Sequence, residues 1–328
     1  MHPRTYDEVY TMLEAGQISV AQAFKFLREL EFRASPPGEE RERGIVTPTT
    51  PATPIQAVSL DDVLGELESL IGLSRIKRLV KELQAFIHIQ KRRENERLAT
   101  EPLVLHMIFK GNPGTGKTTV ARLLGKIFRI MGVLPKGHLI ELERADLVGE
   151  YIGHTAQKTR DQIKRALGGI LFIDEAYSLA RGGEKDFGKE AIDAMVKAME
   201  DHKDNLIVIL AGYRVEMDDF LKVNPGLRSR FPIIFDFEDY SIDELLKIAQ
   251  HMIDRRQYRL SKESEAKLGA TLSQRLHKDR ENFGNARLVR NLIERGIRKQ
   301  AVRLFEKDRS SREELMLILP EDIKEEEE

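Results

Sequence analysis

Gly111-Asn112-Pro113-Gly114-Thr115-Gly116-Lys117-Thr118 decides the fold of this chain. It meets the phosphate-binding pattern G-x-x-x-x-G-K-[ST] at every fixed position. Ahead of it, Val104 to Phe109 is a mostly apolar run that reads as a buried strand. After it, Val120, Leu123, Leu124, Ile127, Phe128 and Met131 recur at helical spacing. A strand, a glycine loop and a helix are what phosphate binding needs. Glycines let backbone N–H groups converge on a polyphosphate without side-chain obstruction. The helix N-terminus adds its partial positive charge. Lys117 is placed to reach the terminal phosphates and the Thr118 hydroxyl to ligate Mg²⁺. Asn112, Pro113, Gly114, Thr115, Gly116 and Thr119 complete the expected cradle. A flexible surface turn is the alternative, and the flanking strand and helix argue against it.

Outward from the loop, strands are predicted at 104–110, 138–143, 169–174, 205–211 and 232–237. They are rich in Ile, Leu, Val and Phe, as strands covered on both faces must be. Their alternation with helical stretches predicts an α/β architecture, a parallel sheet wrapped by helices. Upstream, Leu60 to Leu70 reads as a helix closed by Ile71-Gly72-Leu73, and a second helix runs from Ser74 to about Leu98. From Ser241 onward the strand signal stops, and helices are predicted from Leu245, near 263–276 and at 285–306. The expected organisation is a nucleotide-binding domain over 59–240 and a smaller all-α lid over 241–323. Residues 1–33 read as a short helical hairpin, with Ser19 as a cap between its two helices. Residues 34–58 are dense in proline and threonine, which predicts an extended, disordered linker. Residues 324–328 form an acidic tail.

Composition narrows the functional classes. Among 328 residues, 53 are basic and 54 acidic, a balance that argues against a constitutive nucleic-acid binder with a basic surface. Cysteine is absent, which rules out disulfides, zinc-thiolate sites and a cysteine nucleophile, and fits a reducing cytoplasm. No apolar run approaches the roughly 20 residues a membrane span needs. The polar start at Met1 is unlike a secretion signal. The expectation is a soluble cytoplasmic protein.

Ile170-Leu171-Phe172-Ile173-Asp174-Glu175 is an apolar strand ending in two acids. Carboxylates at the C-terminal end of such a strand stand beside the phosphate loop. Asp174 is placed to hold Mg²⁺, directly or through water, and Glu175 to orient and deprotonate an attacking water. In isolation such a pair is often only a helix-start signal. Behind a full phosphate loop it reads as catalytic.

With these residues in view the chain resembles the AAA+ ATPases, in particular the group containing CbbX-type rubisco activases and stage V sporulation protein K. The resemblance covers about residues 60–323. It rests on Gly111 to Thr118, Tyr151-Ile152-Gly153-His154-Thr155, Ile170 to Ala176, Asn224 to Phe231, and Gly284-Asn285-Ala286-Arg287. The N-terminal hairpin and linker resemble the sporulation members more than the short-tailed rubisco activases.

The resemblance implies further roles. Arg230 matches the arginine finger given to a neighbour's ATP, with Arg228 as runner-up. Arg287 matches the sensor-2 arginine of the lid. Ile71 and Gly72 correspond to the backbone that cradles adenine. Tyr151, Ile152 and Gly153 match the loop that lines the central pore of a ring. The sequence departs from the family at the end of the fourth strand, where Leu210-Ala211-Gly212-Tyr213-Arg214 lacks the usual polar sensor-1 asparagine or threonine. The implied protein is a hexameric ring of identical subunits that hydrolyses ATP with Mg²⁺ to remodel a protein client, in sporulation or on rubisco. A nucleic-acid-associated ATPase, a slow nucleotide-dependent scaffold or switch, and a small-molecule P-loop kinase are the other classes. Charge balance, Glu175, and Arg230 with Arg287 speak against them in turn.

Overall fold

A computed structural model describes residues 59–323, except 101–102, 152, 182–185, 281, 306 and 308, together with Met12 and Phe26. The hairpin expected over 1–33 (apart from Met12 and Phe26), the linker over 34–58 and the tail over 324–328 lie outside the described residues. The sheet and the helices around it belong to the compact unit that begins at Val58.

Among the described residues from Ser59 onward, α1 (Leu60–Ser69) and α2 (Ser74–Asn95) lead into the sheet. Ser59 starts α1 with a capping box: its hydroxyl accepts from Asp62 N at 3.1 Å, and the Asp62 carboxylate accepts from Ser59 N at 2.9 Å. The expected strands are all present: β1 (Met107–Gly111), β2 (Leu139–Leu142), β3 (Ile170–Ile173), β4 (Ile207–Gly212) and β5 (Ile233–Phe237). They form one parallel sheet in the order β2-β3-β4-β1-β5. Between them run α3 (Lys117–Ile130), α4 (Arg144–Leu147), α5 (His154–Ala166), α6 (Gly188–Asp201), α7 (Arg214–Val223) and α8 (Pro225–Arg228).

The central strands are covered on both faces, so β3 and β4 read as unbroken apolar runs. Successive side chains alternate between two cores. Ile108, Leu171, Ile173, Val208 and Leu210 enter one, with α5, α6 and α7. Met107, Phe109, Phe172, Ile209, Phe235 and Phe237 enter the other, with α1, α2 and α3. Phe109 is fully buried, with ring centroids 5.0 Å from both Phe235 and Phe237. Truncating such a side chain to alanine costs about 3–5 kcal/mol.

The sheet places the site. β1 lies between β4 and β5, and the chain leaves its C-terminal end into the glycine loop. In open parallel sheets ligands bind outside the carboxyl ends of strands, where the strand order reverses.

The lid begins with α9 (Ile242–Asp254), opened by a capping box between Ser241 and Glu244. It continues with α10 (Lys262–Lys278), α11 (Asn285–Phe305) and α12 (Arg312–Met316) around a third core that includes Leu245, Ile253, Leu268 and Ile293. The lid is helical, as expected, with one addition. Two residues, β6 (Arg259–Leu260), pair in parallel with β7 (Leu317–Ile318). Strands of two residues have no periodicity to detect, which is why the sequence is silent on them.

Candidate active site

Lys117, the first residue of α3, folds back on its own loop. Its Nζ donates to the carbonyls of Gly111 at 2.7 Å and Asn112 at 2.9 Å. Burial lowers its pKa to about 8; the Asp174 carboxylate opposes that shift, the Arg287 guanidinium adds to it, and Asp239 and Glu175 oppose it. A polyanion beside this ammonium would restore what burial removes. Thr115 is fully buried and donates through Oγ1 to Asn112 O at 2.7 Å, so it braces the loop from within. The Asn112 amide points the other way, to Asp239.

A cleft of about 430 Å³ brings most of the predicted residues together. Pro113, Gly114, Gly116, Lys117, Thr118 and Thr119 form one wall. Asp174 and Glu175 form the other, and Tyr213 and Arg287 also line it. Asp174 follows the last residue of β3, and its N–H donates to Leu142 O at 2.8 Å, which holds its backbone to β2. Its carboxylate accepts from Glu175 N at 3.0 Å. Glu175 has φ +47°, a left-handed conformation that costs a side-chain-bearing residue roughly 1–2 kcal/mol. Such strain persists where the surroundings enforce it, and it concentrates at functional positions.

Residues that escaped the sequence reading also line this cleft, Arg122, Glu143, Glu141 and Arg290 among them. Glu141, on β2, accepts from the Thr118 hydroxyl at 3.3 Å and from Arg122 Nη2 at 3.1 Å. Arg290, one turn beyond Arg287 on α11, lines the cleft as well. For Glu141 and Arg290 the only available signals were a carboxylate inside an apolar strand and a second arginine at helical spacing. Thr118, Asp174 and Glu141 offer hard oxygen donors, which suit Mg²⁺. Among the described residues no group of three His, Cys, Asp or Glu could hold a metal alone. Mg²⁺ at this position would therefore share its ligands with phosphate oxygens and water.

A second cleft, of about 740 Å³, adjoins the loop on the lid side. Ile71, Leu73, Tyr240, Ile248, Met252 and Ala286 give it apolar lining, and Arg255, Arg256, Arg287 and Arg290 line it too. Gly72, between Ile71 and Leu73, does not itself line the cleft; its φ is +66°, and a Cβ there would stand 2.5 Å from Glu244 Oε1. The lid also touches the loop directly. Ala286 N donates to Gly114 O at 3.2 Å. Gly114 has φ +71°, and a Cβ on it would lie 2.5 Å from Gly284 O and 2.6 Å from Arg287 N. Only glycine permits that approach.

The remaining predicted residues stand apart. Neither Arg228 nor Arg230 lines the phosphate cleft. Arg228 ends α8 and is exposed, while Arg230 pairs with Glu200 near the end of α6. Tyr151, before α5, is 66% exposed, with its ring edge-on to His154 at 5.4 Å. Gly153 caps α5, and Ile152 lies outside the described residues. Tyr213 brings a hydroxyl to the place where the sequence lacked a sensor-1 residue. Burial, with the nearby Glu175 charge, raises its pKa.

A glycine loop on a parallel sheet, two acids at the end of β3 and a lid pinned to the loop define a P-loop nucleotide hydrolase. Comparison with known proteins carries this further. Residues 107–239 match the ATPase family associated with various cellular activities (AAA), and residues 241–328 match the AAA lid domain. The chain is 58% identical over 265 residues to stage V sporulation protein K of Bacillus subtilis, covering 80% of this chain and 82% of that protein. It is 47% identical over 246 residues to Protein CbbX of Cereibacter sphaeroides, covering 74% and 79%. A solved structure of a Thermotoga maritima RuvB variant aligns over 78% of this chain and 69% of its own, with TM-score 0.51 and 20% identity, and shares the fold. The chain belongs to the AAA family and is an ATP hydrolase of that family. No helix among the described residues is long and apolar enough to cross a membrane.

Proposed function

We propose that this ATPase assembles as a hexameric ring, in which Arg230 of each subunit completes the ATP site of its neighbour, and that hydrolysis remodels a protein client. The observation that carries this reading is the placing of the arginines. Arg287 lines the chain's own cleft, whereas Arg230 does not line it and pairs with Glu200 on α6. An arginine supplied by a neighbour neutralises charge spreading over the transferred phosphoryl oxygens and ties turnover to assembly.

Within one site, Lys117 releases the loop carbonyls and meets the β- and γ-phosphates. Ile71 and Gly72, with Tyr240, hold the adenine. Mg²⁺, held by Thr118 and by Asp174 directly or through water, would neutralise phosphate charge. Glu175 accepts a proton from the attacking water as its oxygen bonds to the γ-phosphorus and the bond to the ADP oxygen breaks. Arg287 and Tyr213 contact the phosphates from the far wall. Tyr151, exposed beside Gly153, grips an extended client by apolar contact. The higher identity to the sporulation relative than to Protein CbbX favours a client in sporulation over rubisco.

The test mixes two inactive variants. Glu175→Gln lacks its base but offers Arg230; Arg230→Ala keeps its base but lacks the finger. Each alone should be nearly inactive, and their mixture should recover turnover through neighbours that supply complementary halves. No recovery in rings shown to contain both variants overturns the trans assignment.

A further inference from the structure

We propose that Asp239 is a positioning residue, the joint through which the phosphate loop sets the angle of the lid. The proposal rests on the reading of the cleft as an ATP site. Asp239 lies in the four-residue crossing between β5, which ends at Phe237, and α9, which begins at Ile242. Gly111 pairs with Phe237 in the sheet, and that register brings Asp239 beside Asn112. The Asn112 amide donates to both oxygens of Asp239, at 3.1 and 3.0 Å. The Asn285 amide donates to Asp239 Oδ1 at 2.7 Å and to Phe283 O at 2.9 Å. The Asn285 carbonyl oxygen accepts from Tyr240 N at 3.0 Å. One carboxylate thus joins the phosphate loop, the crossing segment and the first residue of α11, the helix that carries Arg287.

The far end of the joint is rigid. Asn285 is fully buried with φ +45°, and its amide is satisfied on both sides. Asp239 itself is exposed, so its bonds are adjustable. The near end carries the trigger. The Lys117 ammonium holds Gly111 O and Asn112 O, and a polyphosphate competes with those carbonyls for it. Once the ammonium turns to phosphate, Asn112 O keeps only its bond from the Thr115 hydroxyl, and the Asn112 peptide can pivot about that one anchor. Its side chain passes the shift to Asp239 and so to Asn285.

The chain has no cysteine, so Arg129→Cys on α3 and Arg298→Cys on α11, both at exposed positions, give two unique labelling sites. The inter-label distance is read with and without a non-hydrolysable ATP analogue, alongside analogue affinity and the kcat and KM of unlabelled protein. Asp239→Ala should still bind the analogue, with affinity weakened by up to about tenfold, and should lose the distance change. Asp239→Asn should keep it, because the Asn112 amide can turn over and accept from the new side chain. That variant also removes the charge near Lys117 while preserving the bonds, so it separates the two effects. A full distance change in Asp239→Ala, or its loss in Asp239→Asn, overturns the joint. Wild-type protein that binds the analogue without moving the lid also overturns it. Wild-type protein that binds no analogue overturns the ATP reading of the cleft and this proposal with it.

Discussion

Arg230 donates through Nε and Nη2 to a single oxygen of Glu200, at 3.2 and 2.6 Å. Its third nitrogen donates to Gly226 O at 2.9 Å. The arginine assigned as the finger is therefore ordered on its own domain before any neighbour is met. The pair is partly exposed on both sides, and such surface pairs contribute about 0–1 kcal/mol. Arg230→Ala should unfold within about 1 kcal/mol of wild type and keep its ATP affinity, yet lose steady-state hydrolysis by about 1,000-fold or more. Arg228→Ala measured beside it decides between the two arginines. Equal turnover by Arg230→Ala and wild type removes the assignment.

Glu175 and Lys117 should separate binding from chemistry. If Glu175 is the base proposed above, Glu175→Gln should leave ATP binding intact while hydrolysis falls by about 100-fold or more. Lys117→Ala removes the cation that meets phosphate, so binding itself is lost. Equilibrium binding and phosphate release report the two steps independently. Near-normal turnover by Glu175→Gln would remove the base.

ATP binding should take up protons near pH 8. Burial lowers the Lys117 pKa from 10.5 to about 8 in the folded chain, and phosphate contact raises it again. Affinity should therefore fall as pH rises through 8. Folding stability runs the other way: between pH 8 and 10.5 the unfolded chain binds the extra proton, so this residue's contribution rises with pH. Titration calorimetry at pH 8 in buffers of different ionisation enthalpy should register up to about half a proton taken up per ATP. Identical heats across buffers would mean Lys117 is already fully charged.

Gly114→Ala should damage nucleotide binding and lid placement together. Its Cβ would press on the backbone of Gly284 and Arg287, which no side-chain rotation can relieve. The expected result is a chain that folds but binds ATP at least about tenfold more weakly. Wild-type affinity in this variant would show that the lid does not seat against the loop when nucleotide is bound.

Tyr151→Ala should change stability by less than about 0.5 kcal/mol, because the residue is exposed. Basal hydrolysis should survive, and remodelling of an identified client should disappear. An unfolded Tyr151→Ala would make the residue structural, and intact remodelling would place the grip elsewhere.

Features carried by neighbouring residues were legible in the sequence. The glycine loop, the apolar strands, the acid pair after β3 and the lid helices are all patterns of period or spacing along the chain. They depend on local backbone geometry and on burial of both sheet faces. Features that join distant residues were not. Thr118 meets Glu141 across 23 positions, Arg230 meets Glu200 across 30, and Asn112 meets Asp239 across 127. The left-handed Glu175 and the closeness of Gly114 to the lid belong with them. A side chain's partner depends on which strands pair and in what register. Glu141 faces the phosphate loop because β2 lies beside β3, and Asp239 reaches Asn112 because β5 lies beside β1. Local patterning determined that this chain builds a phosphate loop on a parallel sheet. Only the order and register of the strands decided that the loop would also meet Glu141 and Asp239.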